Sequence, residues 1–289
     1  MESELWKRLY CLLWHEAMLK TARRRRVYSD AFILTVYFWS VLHDRPRCWA
    51  CRIENWPASM AWLNLPSEAT LSRRMRGVSV MLLLTALLDH LGALRQPSLL
   101  RKIDSKPLPV GGFSKDRDAR RGYGAGQITR GYKLFCIWGD GIVPDAWTMG
   151  PMNLSDPAGA TQLIGELSGS GYLVADVTHD SNPLHAVSAS RGFQLLAPRK
   201  QPGTGLGHQE HQPSRLRAIE MLEGPSPLGQ NLYRRRTEIE RAFGHASNFG
   251  GGLQPLPSWV RRPHRVVPWV ATKLLLNALR LAQIQALAA

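Results

Sequence analysis

Residues 172–200 read YLVADVTHDSNPLHAVSASRGFQLLAPRK, and this stretch decides the fold class of the C-terminal two thirds of the chain. Two short apolar runs, YLVAD and FQLLAPRK, have the length of buried strands. The segment NPLHAVSASRG between them has the spacing of a helix. Alternation of strands and helices in this way is typical of a sheet flanked by helices.

The same alternation extends outward from this stretch. Upstream, the chain has a strand-like run LLRKID, then GYKLFCIW, which turns at GDG into IVPDAWTM, then a helical segment DPAGATQLIGELSG. The two runs around GDG predict a β-hairpin. We therefore expect residues 98–289 to form a mixed sheet flanked by helices, an α/β fold, ending in the apolar helix VPWVATKLLLNALRLAQIQALA.

Two segments of this half are expected to be loops. Residues 201–230 are rich in Gly, Pro, Gln and His, and we interpret them as a loop insertion that contains one short helix. The polar segment GGFSKDRDARRGYGAG at 111–126 predicts a mobile loop with a phosphate-binding role.

Residues 1–97 predict a separate helical domain that binds DNA. Apolar residues recur at helical spacing, and Ser29 and Ser67 are candidate N-caps. The segment LPSEATLSRRMR at 65–76 resembles the second half of a helix-turn-helix, which would present Arg73 and Arg74 to DNA. A solvated basic helix face is the alternative interpretation of this segment.

Composition favours a polyanionic partner. The 289 residues carry 37 Lys and Arg against 22 Asp and Glu, a formal charge of +15. Nucleic acid is the first candidate and an anionic membrane the second. The longest apolar run, VMLLLTALL, is too short to span a bilayer, and the N-terminus lacks the pattern of a secretory signal, so we expect a cytosolic protein without a membrane role.

The four cysteines indicate reduced thiols rather than a disulfide framework. The CWAC motif at 48–51 could contribute to a zinc site, with Cys11 and His43 as further ligands. Ordinary cysteines without a metal are the alternative, because no second CxxC motif is present.

Three carboxylates are candidate metal ligands. Asp104 and Asp176 each close a strand-like run, and Glu240 lies in YRRRTEIERAF at 233–243, which we interpret as one helix with Tyr233, Arg236 and Glu240 in a row. Clustered carboxylates repel one another unless a cation neutralises them, and Mg²⁺ or Mn²⁺ is the hard ion that oxygen ligands suit.

Two such ions, roughly 4 Å apart, can activate a water or a 3′-hydroxyl and stabilise the leaving oxygen of a phosphodiester. The neighbouring Arg235 and Arg241 would then bind DNA phosphates. Each residue taken alone also fits a turn, a cap or a surface ion pair. Asp180 is a competing ligand, although DSN at 180–182 also resembles the cap of the next helix.

These motifs resemble the DDE transposases of bacterial insertion sequences, whose catalytic domain is ribonuclease H-like. IDSKPLP at 103–109 is similar to the first-aspartate motif of that family, LVADVTHDSN at 173–182 to the second, and YRRRTEIERAF to its tyrosine, arginine and glutamate signature. The resemblance implies that Asp104, Asp176 and Glu240 bind two divalent ions, and that Tyr233 and Arg236 contact DNA near the reacting phosphate.

The resemblance also implies a function. It suggests a DNA transposase that cuts element ends and joins the 3′-hydroxyl to target DNA, with helices near the N-terminus recognising the terminal inverted repeats. Double-stranded DNA would be the partner and a homodimer on DNA the acting form. The protein would work in the bacterial cytoplasm, associated with the nucleoid.

The chain departs from the family pattern at two points. Val177, Thr178 and His179 replace a basic, glycine and aromatic set after the second aspartate, and Ser247 replaces a lysine seven positions after Glu240. Two alternatives therefore stay open. One is a nuclease of the same fold that does not join DNA, and the other is a DNA-binding protein whose catalytic site has decayed.

Overall fold

The computed structural model describes residues 2–18, 27–93, 98–124, 126–208, 210–248, 252–253 and 255–288. The chain groups into two compact units. Met1–Leu94 and Ala246–Ala289 form a helical unit, and Arg95–His245 form a sheet unit. The expected domain boundary between residues 97 and 98 falls at the edge of 94–97, which lies outside the described residues, so the division into 1–97 and 98–289 stays a prediction.

The N-terminal part of the helical unit is built from capped helices. The side chain of Ser29 accepts a hydrogen bond from the Phe32 amide, and that of Ser67 accepts one from the Thr70 amide, which confirms both predicted N-caps. The helices are α1 (Glu2–Met18), α2 (Asp30–Leu42), α3 (Arg47–Ala50), α4 (Glu68–Arg74) and α5 (Val78–Ala93).

Tryptophan rings form part of the core of this unit. Trp39 lies between Trp6 and Trp56, with ring centroids at 5.0 Å and 4.8 Å. All three side chains are buried. Among the described helices, no single one has both the length and the apolar character needed to cross a membrane, although α4 and α5, bent by 68°, pass that test as a pair.

The sheet unit alternates strands and helices as predicted. Its strands are β1 (Leu100–Pro109), β2 (Arg120–Gly124), β3 (Gln127–Trp138), β4 (Ala146–Pro151), β5 (Gly171–Val174) and β6 (Phe193–Leu196). Its helices are α6 (Asp156–Glu166), α7 (Asn182–Ser190), α8 (Pro213–Glu223), α9 (Pro227–Arg234) and α10 (Thr237–Ser247), the last of which ends in the helical unit. The helical unit then closes with α11 (Pro263–Ala288).

The strands form one mixed sheet in the order β2-β3-β1-β5-β6, with β4 also paired to β3. The pairs β1/β3, β2/β3 and β3/β4 are antiparallel, and β1/β5 and β5/β6 are parallel. The predicted hairpin around GDG is therefore confirmed, and the mixed sheet flanked by helices is the expected fold class, consistent with a ribonuclease H-like fold.

The two faces of the sheet bury different residues because side chains alternate along a strand. Ile103 of β1 belongs to a core cluster with α6 and α7, together with Leu163 and Leu184. Leu100 of the same strand lies on the opposite face, in a cluster with Ala218 of α8, against which Leu232 of α9 packs. Every second residue of β1 therefore faces the α8 and α9 side.

Three elements differ from the expectation. β1 continues five residues past Asp104, β2 forms within the segment expected to be a loop, and the expected single helix at 233–243 is interrupted. Arg235 and Arg236 close α9 with i to i+3 hydrogen bonds to Leu232 and Tyr233, and α10 begins only at Thr237. The expected insertion at 201–230 contains all of α8 and the start of α9.

Candidate active site

Asp104 lies where β1 loses its parallel neighbour. The β1/β5 register pairs Leu100 with Tyr172 and Lys102 with Val174. The same offset, continued two residues past the end of β5, brings Asp104 level with Asp176. Since β3 continues to pair with β1 as far as Pro109, Asp104 is within a strand and not at the strand end that the sequence suggested.

Alternation puts both aspartates on one face of the sheet. Asp104 is four residues from Leu100, and Asp176 is two residues from Val174, so each shares the face of the α8 and α9 cluster. Ile103 and Ala175, their neighbours in sequence, belong to the opposite cluster. The two carboxylates therefore meet on the side of the sheet that carries α9 and α10.

The environment of Asp104 disfavours its charge. Burial raises the pKa of Asp104, the backbone amide of Ser105 lowers it by donating at 2.7 Å, and the charge of Asp176 raises it again. The positive charge of Arg236 opposes these effects, and the resulting pKa is about 6. A cation close to both carboxylates would favour the ionised form of Asp104.

Asp176 is held through one oxygen. Its Oδ1 accepts hydrogen bonds from the Thr178 amide at 3.1 Å and the Thr178 hydroxyl at 2.5 Å, and it lies 2.6 Å from Nδ1 of His179. Burial would raise the pKa of Asp176, but the hydrogen bonds from His179 and Thr178 outweigh it and lower the pKa to about 2. Within the described part of the chain, Oδ2 has no hydrogen bond.

Glu240 pairs with Arg236, whose charge acts on Asp104. Nη2 of Arg236 donates to Oε1 of Glu240 at 2.6 Å. The charge of the same guanidinium acts on Asp104 and on Tyr233, and that of Asp176 also acts on Tyr233. Electrostatic influence thus connects Asp104, Asp176, Tyr233, Arg236 and Glu240, and the ion pair between Arg236 and Glu240 is a direct contact among them.

Asp104, Asp176 and Glu240 do not bring their oxygens within 4.8 Å of one another, the spacing that a shared metal ion would need. In the described part of the chain, one group of three possible ligands has its atoms within 4.8 Å of one another, and it consists of His15, Glu16 and His90 in the helical unit. There, Nδ1 of His90 lies 2.7 Å from Oε1 of Glu16, so this group lies at a contact between α1 and α5.

A buried lysine that the sequence pattern did not indicate fastens α10 to the sheet. Nζ of Lys102 lies 2.9 Å from Asp140 and 2.8 Å from Glu238, and its side chain is 1% exposed. Arg235 joins the same two carboxylates, at 2.9 Å and 2.7 Å. The signal was the two-residue spacing to Asp104, which places Lys102 on the same face of β1.

The predicted DNA-binding arginines have different environments. Arg241 is exposed on α10, whereas Arg235 already binds two carboxylates. On α4 of the helical unit, Arg73 is exposed, whereas Arg74 pairs with Asp30 at 2.5 Å. Arg73 and Arg241 are thus the two of these four with free guanidinium groups in the described part of the chain.

The competing ligand, Asp180, has another role in the structure. Arg215 of α8 donates to both carboxylate oxygens of Asp180, at 2.7 Å and 2.8 Å. The side chain of Asp180 is 2% exposed. Asp180 therefore fastens α8 to the segment that precedes α7. Both of its oxygens already accept hydrogen bonds from the protein.

A comparison with known protein families covers the same part of the chain as the candidate site. A family model described as "Transposase DDE domain" matches residues 96–262, which contain β1, β5, α9 and α10 with all three carboxylates. Searches of the curated proteins and of the solved structures gave no match.

Proposed function

The chain belongs to the transposase DDE domain family, and from this premise we propose that it cuts DNA at the ends of an insertion element and joins the freed 3′-hydroxyl to target DNA. Transposases of this family act on DNA and generally use divalent metal ions. The observation that carries the proposal is the level position of Asp104 and Asp176 on one sheet face, with Glu240 paired to Arg236, whose charge acts on Asp104.

The donor set fits a hard divalent cation. Asp104, Asp176 and Glu240 offer carboxylate oxygens, and Oδ2 of Asp176 is free of described hydrogen bonds. The pKa of Asp104 is raised mainly by burial and further by the charge of Asp176, and a bound cation would oppose both effects. Two Mg²⁺ or Mn²⁺ ions held there would activate a water or 3′-hydroxyl and stabilise the leaving oxygen.

Arg236 would change partners when DNA binds. A phosphate group is a charge-assisted acceptor for the guanidinium, comparable to the carboxylate of Glu240. Transfer of Arg236 to a DNA phosphate would free Glu240 to join Asp104 and Asp176. The wider separation of the carboxylates without DNA is then the expected resting arrangement. Tyr233, within range of Arg236, would lie beside the same phosphate.

The helical unit would supply much of the affinity for DNA. Arg45, Arg47 and Arg265 line one small pocket in it. Burial lowers the pKa of Arg47, and the nearby charges of Arg265 and Arg76 lower it further. Like charges gathered in this way are stabilised by polyanions, which suits recognition of element ends by this unit.

Isosteric variants of the carboxylates test the proposal. Asp104→Asn, Asp176→Asn and Glu240→Gln keep shape and remove the charges that would hold the ions. With Mg²⁺ or Mn²⁺ and a duplex taken from the DNA flanking the coding region, we expect each variant to lose cleavage and strand transfer while retaining DNA binding. Gel assays of cleavage and of joining to a plasmid measure the two reactions.

Glu220→Gln, at an exposed glutamate of α8, is the matched control and should behave as the wild type. Unchanged cleavage in all three carboxylate variants would refute the proposed site. Cleavage without joined products would identify a nuclease. Binding without either reaction in the wild type would identify a protein that has lost catalysis. The mass of the complex on DNA measures whether a dimer forms, as the proposal expects.

A further inference from the structure

The edge of the sheet at β2 displays apolar and basic side chains to solvent. Phe113, Tyr123 and Ile128 have relative exposures of 103%, 68% and 76%. Lys115, Arg120 and Arg121 are exposed among them. These six residues are called the edge platform below. Large apolar groups grouped with cations on a surface indicate a binding site rather than isolated exposed residues.

The protein holds the loop of the edge platform in place. Arg130 of β3 donates to the carbonyl oxygens of Ser114 and Ala119, at 2.7 Å and 2.8 Å. The hydroxyl of Tyr132 donates at 2.8 Å to Oδ2 of Asp116, whose side chain is buried. The segment expected to be a mobile loop is therefore fastened to β3, and its exposed side chains are presented on a supported backbone.

The cations of the edge platform have no acidic partner within the described residues. No ion pair involves Lys115, Arg120 or Arg121, although many other arginines of the sheet unit are paired. The nearest acidic residues in sequence, Asp116 and Asp118, serve the loop itself, since the Asp118 amide donates to Asp116. The platform therefore carries positive charge that an anionic partner would neutralise.

Register puts part of the platform on the face of the catalytic carboxylates. Asp104 pairs with Cys136, and Tyr123 pairs with Ile128. An even number of residues along β3 separates Cys136 from Ile128, so their side chains share a face. Arg121, paired with Arg130, lies on it too. From Cys136, Arg130 is about 20 Å and Ile128 about 27 Å along the strand.

These lengths match duplex DNA lying on the site. With a rise of about 3.4 Å per base pair, the platform lies about six to eight base pairs from a phosphate at Asp104. Cations contact phosphates without reading bases, and apolar side chains such as Phe and Ile enter the minor groove with little sequence preference. This chemistry suits DNA of unspecified sequence better than an element end of fixed sequence.

We propose that the edge platform binds the target DNA duplex about six to eight base pairs from the site of strand transfer. The inference rests on the proposed function, because it needs target DNA to approach Asp104. It adds a surface for target capture, in the sheet unit, to the recognition of element ends assigned to the helical unit.

Variants of the platform separate target capture from end cleavage. Arg121→Gln, and separately Tyr123→Ala, should leave cleavage of an element-end duplex unchanged. With a pre-cut end and a plasmid target, the target concentration for half-maximal joining should rise about tenfold. Arg191→Gln and Leu216→Ala, at exposed residues of the same unit, are matched controls.

A binding measurement makes the test independent of catalysis. Fluorescence anisotropy with a duplex of arbitrary sequence, about 40 base pairs long, gives the dependence of affinity on salt. Arg121→Gln should lower the slope of log affinity against log salt by about one.

The outcomes distinguish the two proposals. An unchanged target dependence with an unchanged salt slope overturns the platform, and so does cleavage that falls as much as joining, because the region would then hold the element end or support the fold. A wild type that neither cuts nor joins refutes the proposed function instead. In that case the anisotropy result alone decides whether the platform binds duplex DNA.

Discussion

At the scale of single residues, the departure from the family pattern after Asp176 has a structural role. Thr178 and His179 both bind Oδ1 of Asp176, and Asp176 in turn caps the short 3₁₀ turn Val177–His179. A carboxylate fixed through one oxygen presents the other in a defined direction. Groups that orient a ligand in this way commonly tune metal affinity without contacting the metal. In the proposed site, Thr178 and His179 would therefore position Asp176.

Removing His179 should weaken metal binding more than catalysis. In His179→Ala, we expect the Mn²⁺ concentration for half-maximal DNA cleavage to rise by about 10- to 100-fold, with the rate at saturating Mn²⁺ changing less. The reason is that Asp176 loses its hydrogen bond from Nδ1 and one constraint on its rotation. Cleavage assays over a Mn²⁺ titration measure the effect.

His208→Ala, at an exposed histidine, is the control for that titration. Since His179 is buried, thermal unfolding should first establish that the variant is folded. An unaltered Mn²⁺ dependence in the folded variant would show that His179 does not position Asp176.

Sequence alone proposed the candidate carboxylates but not the residues that hold them. Asp104 and Asp176 follow apolar runs that any strand prediction detects. Lys102 was missed because its partners, Asp140 and Glu238, are distant in sequence and meet only when α10 packs on β1. His179 was missed as a partner of Asp176 because the 3₁₀ turn that joins them has no apolar periodicity.

At the scale of elements, β1 shows why a strand end was misjudged. The apolar run stops at Asp104, and Pro107 and Pro109 argue against a continuing strand. However, β5 ends at Val174, so the edge of β1 beyond Asp104 has β3 as its only described strand neighbour. Prolines are tolerated where the missing amide hydrogen would face an unpaired edge, and both prolines share one orientation because they are two residues apart.

The break between α9 and α10 has a similar origin. Helical periodicity predicted one continuous helix, since Tyr233, Arg236 and Glu240 fall in a row on it. In the structure Tyr233 packs against one cluster, and Ile239 is buried elsewhere in the unit. The interruption at Arg235 and Arg236 leaves the Arg236–Glu240 pair intact, so the row survives although the single helix does not.

Two glycines of α6 should respond oppositely to alanine. A Cβ at Gly159 would lie 2.4 Å from Cδ1 of Phe135, whereas a Cβ at Gly165 would meet nothing within 4 Å. Gly165→Ala should stabilise the protein by about 0.5–1 kcal/mol through helix propensity. Gly159→Ala should destabilise it by about 1–3 kcal/mol, because Phe135 of β3 must move in a packed core.

Urea denaturation of the two variants measures both free energies of unfolding. Each variant is the other's control, since the helix and the substitution are the same. Equal stabilisation by both would mean that α6 does not pack as closely on β3 as the structure has it.

At the scale of the whole molecule, the charge of +15 should dominate affinity for DNA. We expect log affinity to fall with log salt with a slope of about −5 to −9, as for a protein making six to ten phosphate contacts. Arg73→Gln should make this slope less steep by about one. Arg74→Gln should leave it unchanged and lower thermal stability instead, because Arg74 pairs with Asp30.

Anisotropy titrations at several salt concentrations, with thermal unfolding of the same samples, measure both quantities. The two arginines are adjacent on α4 and equal in formal charge, so total charge cannot explain a difference between them. Identical slopes for both variants would remove α4 from the DNA-binding surface.

Fold class was predictable from sequence because strand and helix periodicities alternate clearly after residue 98. The grouping of Ala246–Ala289 with the N-terminal helices was not, since it depends on contacts between the two ends of the chain. The edge platform was hidden for another reason. β2 is short, rich in arginine and glycine, and has no apolar alternation, so it resembled a loop.

The shared register of β1 and β5 limits where insertions and deletions can occur in the gene. Adding or deleting one codon between Leu100 and Asp104 would turn the side chain of Asp104 toward the α6 and α7 side of the sheet. Every following side chain of β1 would change face in the same way. The same change at 201–208, outside any helix or strand, would alter only a surface connection. Length variation among functional copies should therefore accumulate in the second segment and be purged from the first.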